Sequence, residues 1–310
     1  MKNVFIDGSA GTTGLRIADR LKIRKDINLI TLSEERRKDA RARSEALNAS
    51  DIAFLCLPDE AALEAVSLIK NEKTRVIDTS TAHRTQKGWT YGFPELKGQK
   101  EKILSSKRIA NPGCHASGFV ALIKPLTDAG ILDLDANLSC FSITGYSGGG
   151  KKMIAEYEDE NRSPLLSAPR QYALTQEHKH LKEMSFISGI KKSPVFCPVV
   201  ADFYSGMEVT VSLCKDMYKG DIETLKQIYK EYYSGGSVFF SENPDEKGFL
   251  SAKKLSGTDD MEISVLGNND RTLLVSRFDN LGKGASGSTV QNMNILLGVN
   301  ETEGLIHGGI

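Results

Sequence analysis

The sequence predicts an α/β chain in which a parallel-sheet domain is interrupted by an inserted α+β domain with a largely antiparallel sheet. Three observations predict it. Apolar strands and helices alternate through the first third. A glycine-rich turn joins the first strand to the first helix. Beyond residue 114 the strands switch to an alternating apolar pattern, and a last helix follows. Continuous apolar strands in a βαβαβ rhythm belong to a parallel sheet covered on both faces, whereas alternation marks a sheet with one covered face. The combination is a Rossmann domain with an insertion.

In chain order, residues 3–6 read as a strand, 12–22 as a helix and 28–32 as a strand, followed by a charged segment at 34–45. Residues 51–57 form an apolar strand, 59–70 a helix and 75–78 a strand. A helix then opens at the cysteine of Asn111-Pro112-Gly113-Cys114-His115 and runs toward Gly130. Strands are expected at 137–144, 195–200, 207–213, 262–266 and 272–278, with helices at 151–160, about 176–187 and 221–233. The helix at 286–297 returns to the first domain, so residues 1–113 and 282–310 are assigned to nucleotide binding and 114–281 to catalysis and oligomerisation.

The 310 residues suffice for two cores, and the 40 basic and 40 acidic side chains cancel, which argues against nucleic acid as a partner. The chain enters a strand at once, without an apolar leader, and no apolar run is long enough to span a bilayer; a cytoplasmic protein is expected. Five cysteines without CxxC spacing suggest neither a disulfide framework nor a metal site. Cys56, Cys140, Cys197 and Cys214 lie in strand-like runs and read as small buried hydrophobes.

Gly8-Ser9-Ala10-Gly11-Thr12-Thr13-Gly14 follows the first strand and opens the first helix. Glycines there permit a tight turn and a close approach of backbone to a pyrophosphate at a helix N-terminus. The G-x-x-G-x-x-G spacing is weak as a pattern and gains weight from its position. The second strand ends before Ser33, with Arg36, Arg37 and Lys38 close behind and no acidic residue at the strand end itself. That favours NADP, whose 2′-phosphate guanidinium groups bind well; Lys38-Asp39-Ala40-Arg41 reads mainly as solvated helix.

Cys114 follows a Pro-Gly turn at a helix start, where unpartnered N–H groups and the helix dipole stabilise a thiolate. A thiolate beside a dinucleotide fingerprint suggests hydride chemistry on a covalently held acyl group. His178 and His180 place two of five histidines within three residues. A helix beginning near Gln176 would put Glu183 one turn beyond His180 on the same face and His178 roughly opposite, so His180 is the better acid/base, with His178 kept as the alternative. His115 reads as a supporting residue; His83 and His307 carry no role. Tyr146-Ser147-Gly148-Gly149-Gly150-Lys151 follows a strand and offers N–H groups, a hydroxyl and an ammonium to a phosphate or oxyanion. Arg84, past the fourth strand, is a candidate anion ligand.

Together these segments resemble the N-acetyl-γ-glutamyl-phosphate reductases of the semialdehyde dehydrogenase superfamily, especially their shorter class. The similarity also takes in Ile77-Asp78-Thr79-Ser80, Tyr91-Gly92-Phe93-Pro94-Glu95-Leu96, Ala201-Asp202-Phe203-Tyr204-Ser205-Gly206-Met207, Asp279-Asn280-Leu281-Gly282-Lys283-Gly284-Ala285 and Gln291-Asn292-Met293-Asn294. The resemblance implies that Cys114 is the nucleophile and that Asn280, Lys283, Gly284 and Asn292 lie near the nicotinamide. Leu57, Pro58, Ser80, Ser147 and Gly148 are further cofactor-side candidates, and Arg84, Asn111, Ser147, Gly148 and Lys151 are the substrate-side candidates. Lys151 stands where many members carry Arg, which exchanges a fork for a point charge. The implied activity is NADPH-dependent reduction of an acyl phosphate in arginine biosynthesis, by a homo-oligomer, dimer or tetramer. The alternatives are aspartate-semialdehyde dehydrogenase, which shares the chemistry, and an NADP-binding redox sensor without turnover.

Overall fold

The computed structural model describes residues 1–308. The chain divides into two compact units: Met1–Pro94, Gly98–Gly113 and Ala285–Leu305 form the first, and Glu95–Lys97, Cys114–Gly284 and the stretch from Ile306 form the second. One break lies between Gly113 and Cys114 and another between Gly284 and Ala285. The short stretches that join the second unit are tied there by polar contacts. Glu95 pairs with Lys283, the Lys97 N–H donates to the Tyr232 hydroxyl, and the Ile306 N–H donates to Asp259.

The first unit begins with β1 (Lys2–Asp7), α1 (Thr12–Lys22), β2 (Ile27–Ile30), α2 (Ala40–Ala49), β3 (Ile52–Leu55), α3 (Asp59–Leu68) and β4 (Arg75–Asp78). It continues with β5 (Thr90–Tyr91), α4 (Gln99–Ser105) and β6 (Arg108–Ala110), and it includes the C-terminal helix Gly287–Leu297. The six strands pair in parallel in the order β2-β1-β3-β4-β6-β5. Successive strand residues point to opposite faces, so β1 splits between two cores. Val4 and Ile6 pack with Ile17, Leu21 and Met293, while Phe5 packs with Leu47, Leu55 and Val76. Each aliphatic side chain so buried contributes roughly 1.5–3 kcal/mol. The charged segment becomes the helix α2 only from Ala40, where the Asp39 carboxylate caps the Ala42 N–H at 2.7 Å.

The second unit runs through α5 (Cys114–Asp128), β7 (Ser139–Gly145), α6 (Gly150–Glu158), β8 (Arg170–Gln171), α7 (His180–Ser188), β9 (Val195–Ala201), β10 (Met207–Cys214), α8 (Ile222–Tyr232), β11 (Val238–Phe240), β12 (Met261–Gly267) and β13 (Arg271–Phe278). Its seven-stranded sheet has the order β11-β12-β13-β10-β7-β9-β8. Most neighbours are antiparallel; β7–β9 and β11–β12 are parallel. Helix α5 lies on this sheet so closely that a Cβ on Gly118 would stand 2.5 Å from Val209 Cγ2 and 2.7 Å from Ser276 Oγ. Pro125 inside α5 lacks the N–H that would serve the Ala121 carbonyl; the Tyr233 hydroxyl donates to that carbonyl instead, at 2.8 Å. The result is a rigid, buried helix whose first residue is Cys114.

Two expectations fail here. The helix placed near 176–187 starts at His180; residues before it form a turn with Ala173 at φ 52° and Gln176 at φ 58°. Cys214, at the end of β10, is exposed, and Cys56 and Cys197 are partly exposed, so of the four strand cysteines only Cys140 is a fully buried hydrophobe.

Candidate active site and cofactor cavity

The first unit holds a cavity of about 720 Å³ whose wall includes Gly8–Gly11 residues Gly8, Ser9, Ala10 and Gly11, with Leu57 and Pro58 after β3. The glycines are there for steric reasons. Gly8 sits at φ +89°, and a Cβ on it would fall 2.2 Å from the Cys56 carbonyl oxygen; one on Gly14 would fall 2.4 Å from the Gly8 oxygen. Helix α1, which opens at Thr12 and Thr13, has no side-chain cap and no acidic residue in its first turn. An uncapped helix N-terminus of this kind favours an anion. Burial pushes the Cys56 thiol beside this wall up to about 12, so it stays protonated.

The cations after β2 divide. Arg37 and Lys38 line the cavity; Ser33 and Arg36 do not, and Arg36 pairs with Glu45 across an exposed surface. Lys38, read from sequence as mainly solvated, thus belongs to the wall. So does Arg43, buried on α2, which the sequence reading passed over within its charged run.

Elsewhere in the first unit, Ser80 donates to Asp78 at 2.6 Å, and His83 Nδ1 meets the same carboxylate oxygen at 2.6 Å while its ring stacks on Trp89 at 3.9 Å. Arg84 is buried. Its Nε donates to the Asn111 carbonyl and its Nη2 to that of Thr79, both at 2.9 Å. The Asn111 side chain donates to Ser288 Oγ and accepts from Asn292, which also donates to the Gly92 carbonyl. Asn292 is fully buried, and its amide N–H groups are committed to these two backbone and side-chain partners.

In the second unit, Cys114 heads α5, half-buried, and the chain doubles back toward it at Gly284: a Cβ there would stand 3.0 Å from Cys114 Cβ. Gly284 belongs to a π-helical turn, Gly282–Ser286, of the kind that recurs at functional sites. The turn is fixed by Asp279, whose carboxylate accepts from the N–H groups of Leu281, Gly282 and Gly257 and from the Ser205 hydroxyl. Lys283, buried in the same turn, pairs with Glu95.

A histidine cluster fills the next layer. His115 is buried between the Ser142 hydroxyl at 2.7 Å on Nδ1 and the Tyr172 hydroxyl at 2.6 Å on Nε2. Desolvation, with some repulsion from His178, holds its pKa down at about 3, so it stays neutral. Burial raises the Tyr172 hydroxyl, and the nearby Cys114 raises it further. The rings of His178 and His180 lie 5.8 and 5.7 Å from that of His115 and 4.7 Å from each other. This corrects the expectation that the pair points to opposite faces. His178 precedes α7 rather than riding on it, and its Nδ1 accepts the His180 backbone N–H at 3.2 Å. Its neutral form therefore carries the proton on Nε2. Glu183 is buried on α7 one turn after His180. The two left-handed residues, Ala173 and Gln176, form the turn between Tyr172 and His178, and the Gln176 amide braces it by bonding the Phe196 backbone at both N–H and carbonyl. Tyr172 carries no motif by which sequence reading would find it.

The glycine-rich loop departs from its expected use. The N–H groups of Gly145, Tyr146 and Ser147 donate to the carbonyls of Gly206, Phe203 and Tyr204, so they do not face a ligand. Ser147 Oγ accepts from Asn280, whose own carbonyl oxygen accepts the Gly206 N–H. What remains for an anion lies at Gly148 and Gly149 and in the first turn of α6, where Lys151 is exposed.

Known proteins match the chain across both units. Residues 3–104 match the semialdehyde dehydrogenase NAD binding domain, and residues 114–280 match the semialdehyde dehydrogenase dimerisation domain. The chain is 43% identical to N-acetyl-gamma-glutamyl-phosphate reductase 2 of Nostoc sp., over 97% of this chain and 98% of that protein. It is 44% identical to N-acetyl-gamma-glutamyl-phosphate reductase of Brucella ovis, over 95% and 98%. The chain belongs to the N-acetyl-γ-glutamyl-phosphate reductases of the semialdehyde dehydrogenase family.

As a family member it is an oxidoreductase with an NAD(P)-binding domain. The same fold occurs in aspartate semialdehyde dehydrogenase II of Vibrio cholerae (TM-score 0.71, 16% identity, 96% of this chain and 98% of that one). It occurs again in the NADP complex of aspartate semialdehyde dehydrogenase from Candida albicans (TM-score 0.68, 15% identity, 95% and 98%). Among the described residues no helix is long and apolar enough to cross a membrane, and no cluster of ligating side chains could hold a metal ion.

Proposed function

We propose that the chain reduces N-acetyl-γ-glutamyl phosphate to N-acetylglutamate semialdehyde, with NADPH as reductant, in arginine biosynthesis. The observation that carries this reading is Cys114 at the head of α5, with Gly284 against its Cβ and Tyr172 and the histidine cluster beside it. The Cys114 thiolate attacks the γ-carbonyl, the carbonyl–oxygen bond to phosphate breaks, and phosphate leaves. The thioester keeps the carbonyl electrophilic, where a carboxylate would resist hydride. NADPH, when bound, supplies that hydride. The thiohemiacetal on Cys114 then collapses to the aldehyde and releases the thiolate. His180 gives and takes the proton on the carbonyl oxygen, oriented by Glu183, while His178 contacts the substrate. Neutral His115 holds the Tyr172 hydroxyl in place through its Nε2. In the second unit, the Gly148–Lys151 region serves the substrate's anionic groups.

The preference for NADP is supported by Arg37 and Lys38 in the cavity wall beside the end of β2, where Thr31 and Leu32 stand in place of an acidic residue. A homodimer, or a tetramer built from it, is supported by the second sheet. One face carries α5; on the other, β13, β10, β7 and β9 present Leu273, Thr210, Phe141, Cys197 and Val195 in two adjacent cross-strand rows. Phe141, Val195 and Leu273 are 45, 58 and 41% exposed, an apolar face of the kind an isologous interface covers. A thiolate nucleophile must stay reduced between turnovers, which fits a cytoplasmic location.

The test is a spectrophotometric assay at the NADPH band, run in reverse with phosphate, NADP and either N-acetylglutamate semialdehyde or aspartate semialdehyde. Turnover of the acetylated substrate alone supports the proposal. Preference for aspartate semialdehyde would reassign the chain within its superfamily, and cofactor binding without turnover of either would make it a sensor.

A further inference from the structure

Arg43 is a poor candidate for a surface cation and a good one for a wall. It stands in the first turns of α2, is only 7% exposed, and lines the cavity that the glycine turn also lines. Two of its three nitrogens already donate to carboxylates, and the third faces one. Nε donates to both Asp7 carboxylate oxygens, at 3.3 and 3.1 Å, and Nη1 donates to Glu64 at 3.4 Å. Nη2 lies 3.1 Å from Asp7 in ion-pair contact, makes no hydrogen bond and is sealed from solvent. Burial pushes the Asp7 carboxyl up against the pull of Arg43, so the pair is held together in a place that disfavours free charge.

A guanidinium whose edges are taken by carboxylates can still offer its flat face. A planar cation's face suits a planar aromatic ring, and both cation–π attraction and stacking reward that contact. The wall of the same cavity also includes the apolar side chains of Leu32, Leu57, Pro58 and Ala61. Two carboxylates beside the guanidinium make it a poor partner for a phosphate. Arg37 and Lys38, on the same wall, have no buried carboxylate partner and suit the phosphate better.

We infer that Arg43, held flat by Asp7 and Glu64, is the stacking platform for the adenine ring of the dinucleotide, and that Asp7 is its positioning residue. The inference rests on the reading of this cavity as the dinucleotide site, but not on the choice between NADP and NAD. Adenine is common to both cofactors, so the platform serves both alike.

The experiment measures binding by calorimetry and by quenching of protein fluorescence, without turnover. The ligands are NADPH, NADH, 2′,5′-ADP, 5′-ADP and reduced nicotinamide mononucleotide. Arg43→Ala is expected to weaken the four adenine-bearing ligands by a similar factor, roughly 3- to 30-fold, and to leave the mononucleotide unchanged. Arg43→Lys keeps the charge and loses the plane, and it is expected to behave like Arg43→Ala. A loss confined to NADPH and 2′,5′-ADP would overturn the inference and make Arg43 a reader of the 2′-phosphate. Unchanged binding of all five would also overturn it. Removing Arg43 alone leaves a buried carboxylate, so the double variant Asp7→Asn with Arg43→Gln repeats the measurement without uncompensated charge. The wild-type protein gives an independent check: an 8-azidoadenine dinucleotide, photolysed in the complex, is expected to label the peptide carrying Arg43, and labelling only elsewhere would refute the platform. If the wild type binds none of the five ligands, the dinucleotide reading itself fails, which is distinguishable from an unaltered Arg43 variant.

Discussion

Gly284→Ala is the sharpest test of how the second unit holds its thiol. The added methyl would stand 3.0 Å from Cys114 Cβ, 3.1 Å from the Asp279 carbonyl oxygen and 3.2 Å from Phe278 Cε2. Comfortable carbon–carbon contact begins near about 3.5 Å, so the nearest pair must part by roughly 0.5 Å. None of the three neighbours yields easily. Cys114 begins a helix buried along most of its length, Asp279 is pinned by four donors, and Phe278 is fully buried. Overpacking of this kind costs about 1–3 kcal/mol of stability. A misplacement of about 1 Å at a reacting atom costs about 10²-fold, so half of that should lower kcat about tenfold. The assay is steady-state kinetics alongside thermal unfolding and the rate of Cys114 alkylation by iodoacetamide. The expected result is a modest drop in Tm, a fall in kcat and a changed alkylation rate with KM for the cofactor retained. Full kcat with an unchanged alkylation rate would refute the claim that Gly284 fixes the thiol.

Cys114→Ser is expected to abolish turnover while NADPH still binds, and more than a few per cent of residual activity would remove Cys114 from the nucleophile's role. Arg37→Ala and Lys38→Ala should each raise KM for NADPH far more than for NADH, whereas Arg36→Ala, whose exposed pair lies off the cavity, should change neither. His180→Asn should lower kcat by about 10²–10⁴-fold and His178→Asn should act mainly on KM; the reverse order across a pH series would exchange their roles. Phe141→Lys or Leu273→Lys should shift the protein toward monomer in sedimentation, and an unchanged species would place the interface elsewhere. His115 falls from its ordinary 6.5 to about 3 in the fold, so between those values the unfolded chain binds a proton that the native one refuses. Stability supplied by this neutral residue is therefore complete above pH 6.5 and is lost as pH falls toward 3, by up to about 1.4 kcal/mol per pH unit, and His115→Asn should flatten that part of a pH-dependent unfolding series.

Much of the fold was legible because its strong signals are local. Helix α1 lies where its apolar spacing puts it, and β4 matches its expected span residue for residue. The glycine turn was legible too, because Gly8 and Gly14 answer backbone clashes that no other residue avoids. The short strands β5 and β6 gave no period to read, since two or three residues cannot show one. The sequence also suggested a helix through His178, where two left-handed residues make a turn instead. Gln176 in that conformation depends on its amide bonding the β9 backbone, a contact made twenty residues away that no local pattern announces.

The same distinction explains which site residues were missed. Arg43 and Arg36 look alike in sequence, two arginines in a charged stretch, yet one is buried in a cavity wall and the other pairs on the surface. The difference is made by Asp7, at the end of a strand that β2 and β3 flank in space, and by Glu64 on α3. Likewise Tyr172 enters the site because His115, one residue after Cys114, is buried neutral and binds its hydroxyl at 2.6 Å. In both cases a charged or polar side chain acquires its role from a buried partner distant in sequence. Motifs locate the reacting atom, because its chemistry demands one residue type at one place. The residues that aim and frame it are set by burial, and burial is a property of the folded chain.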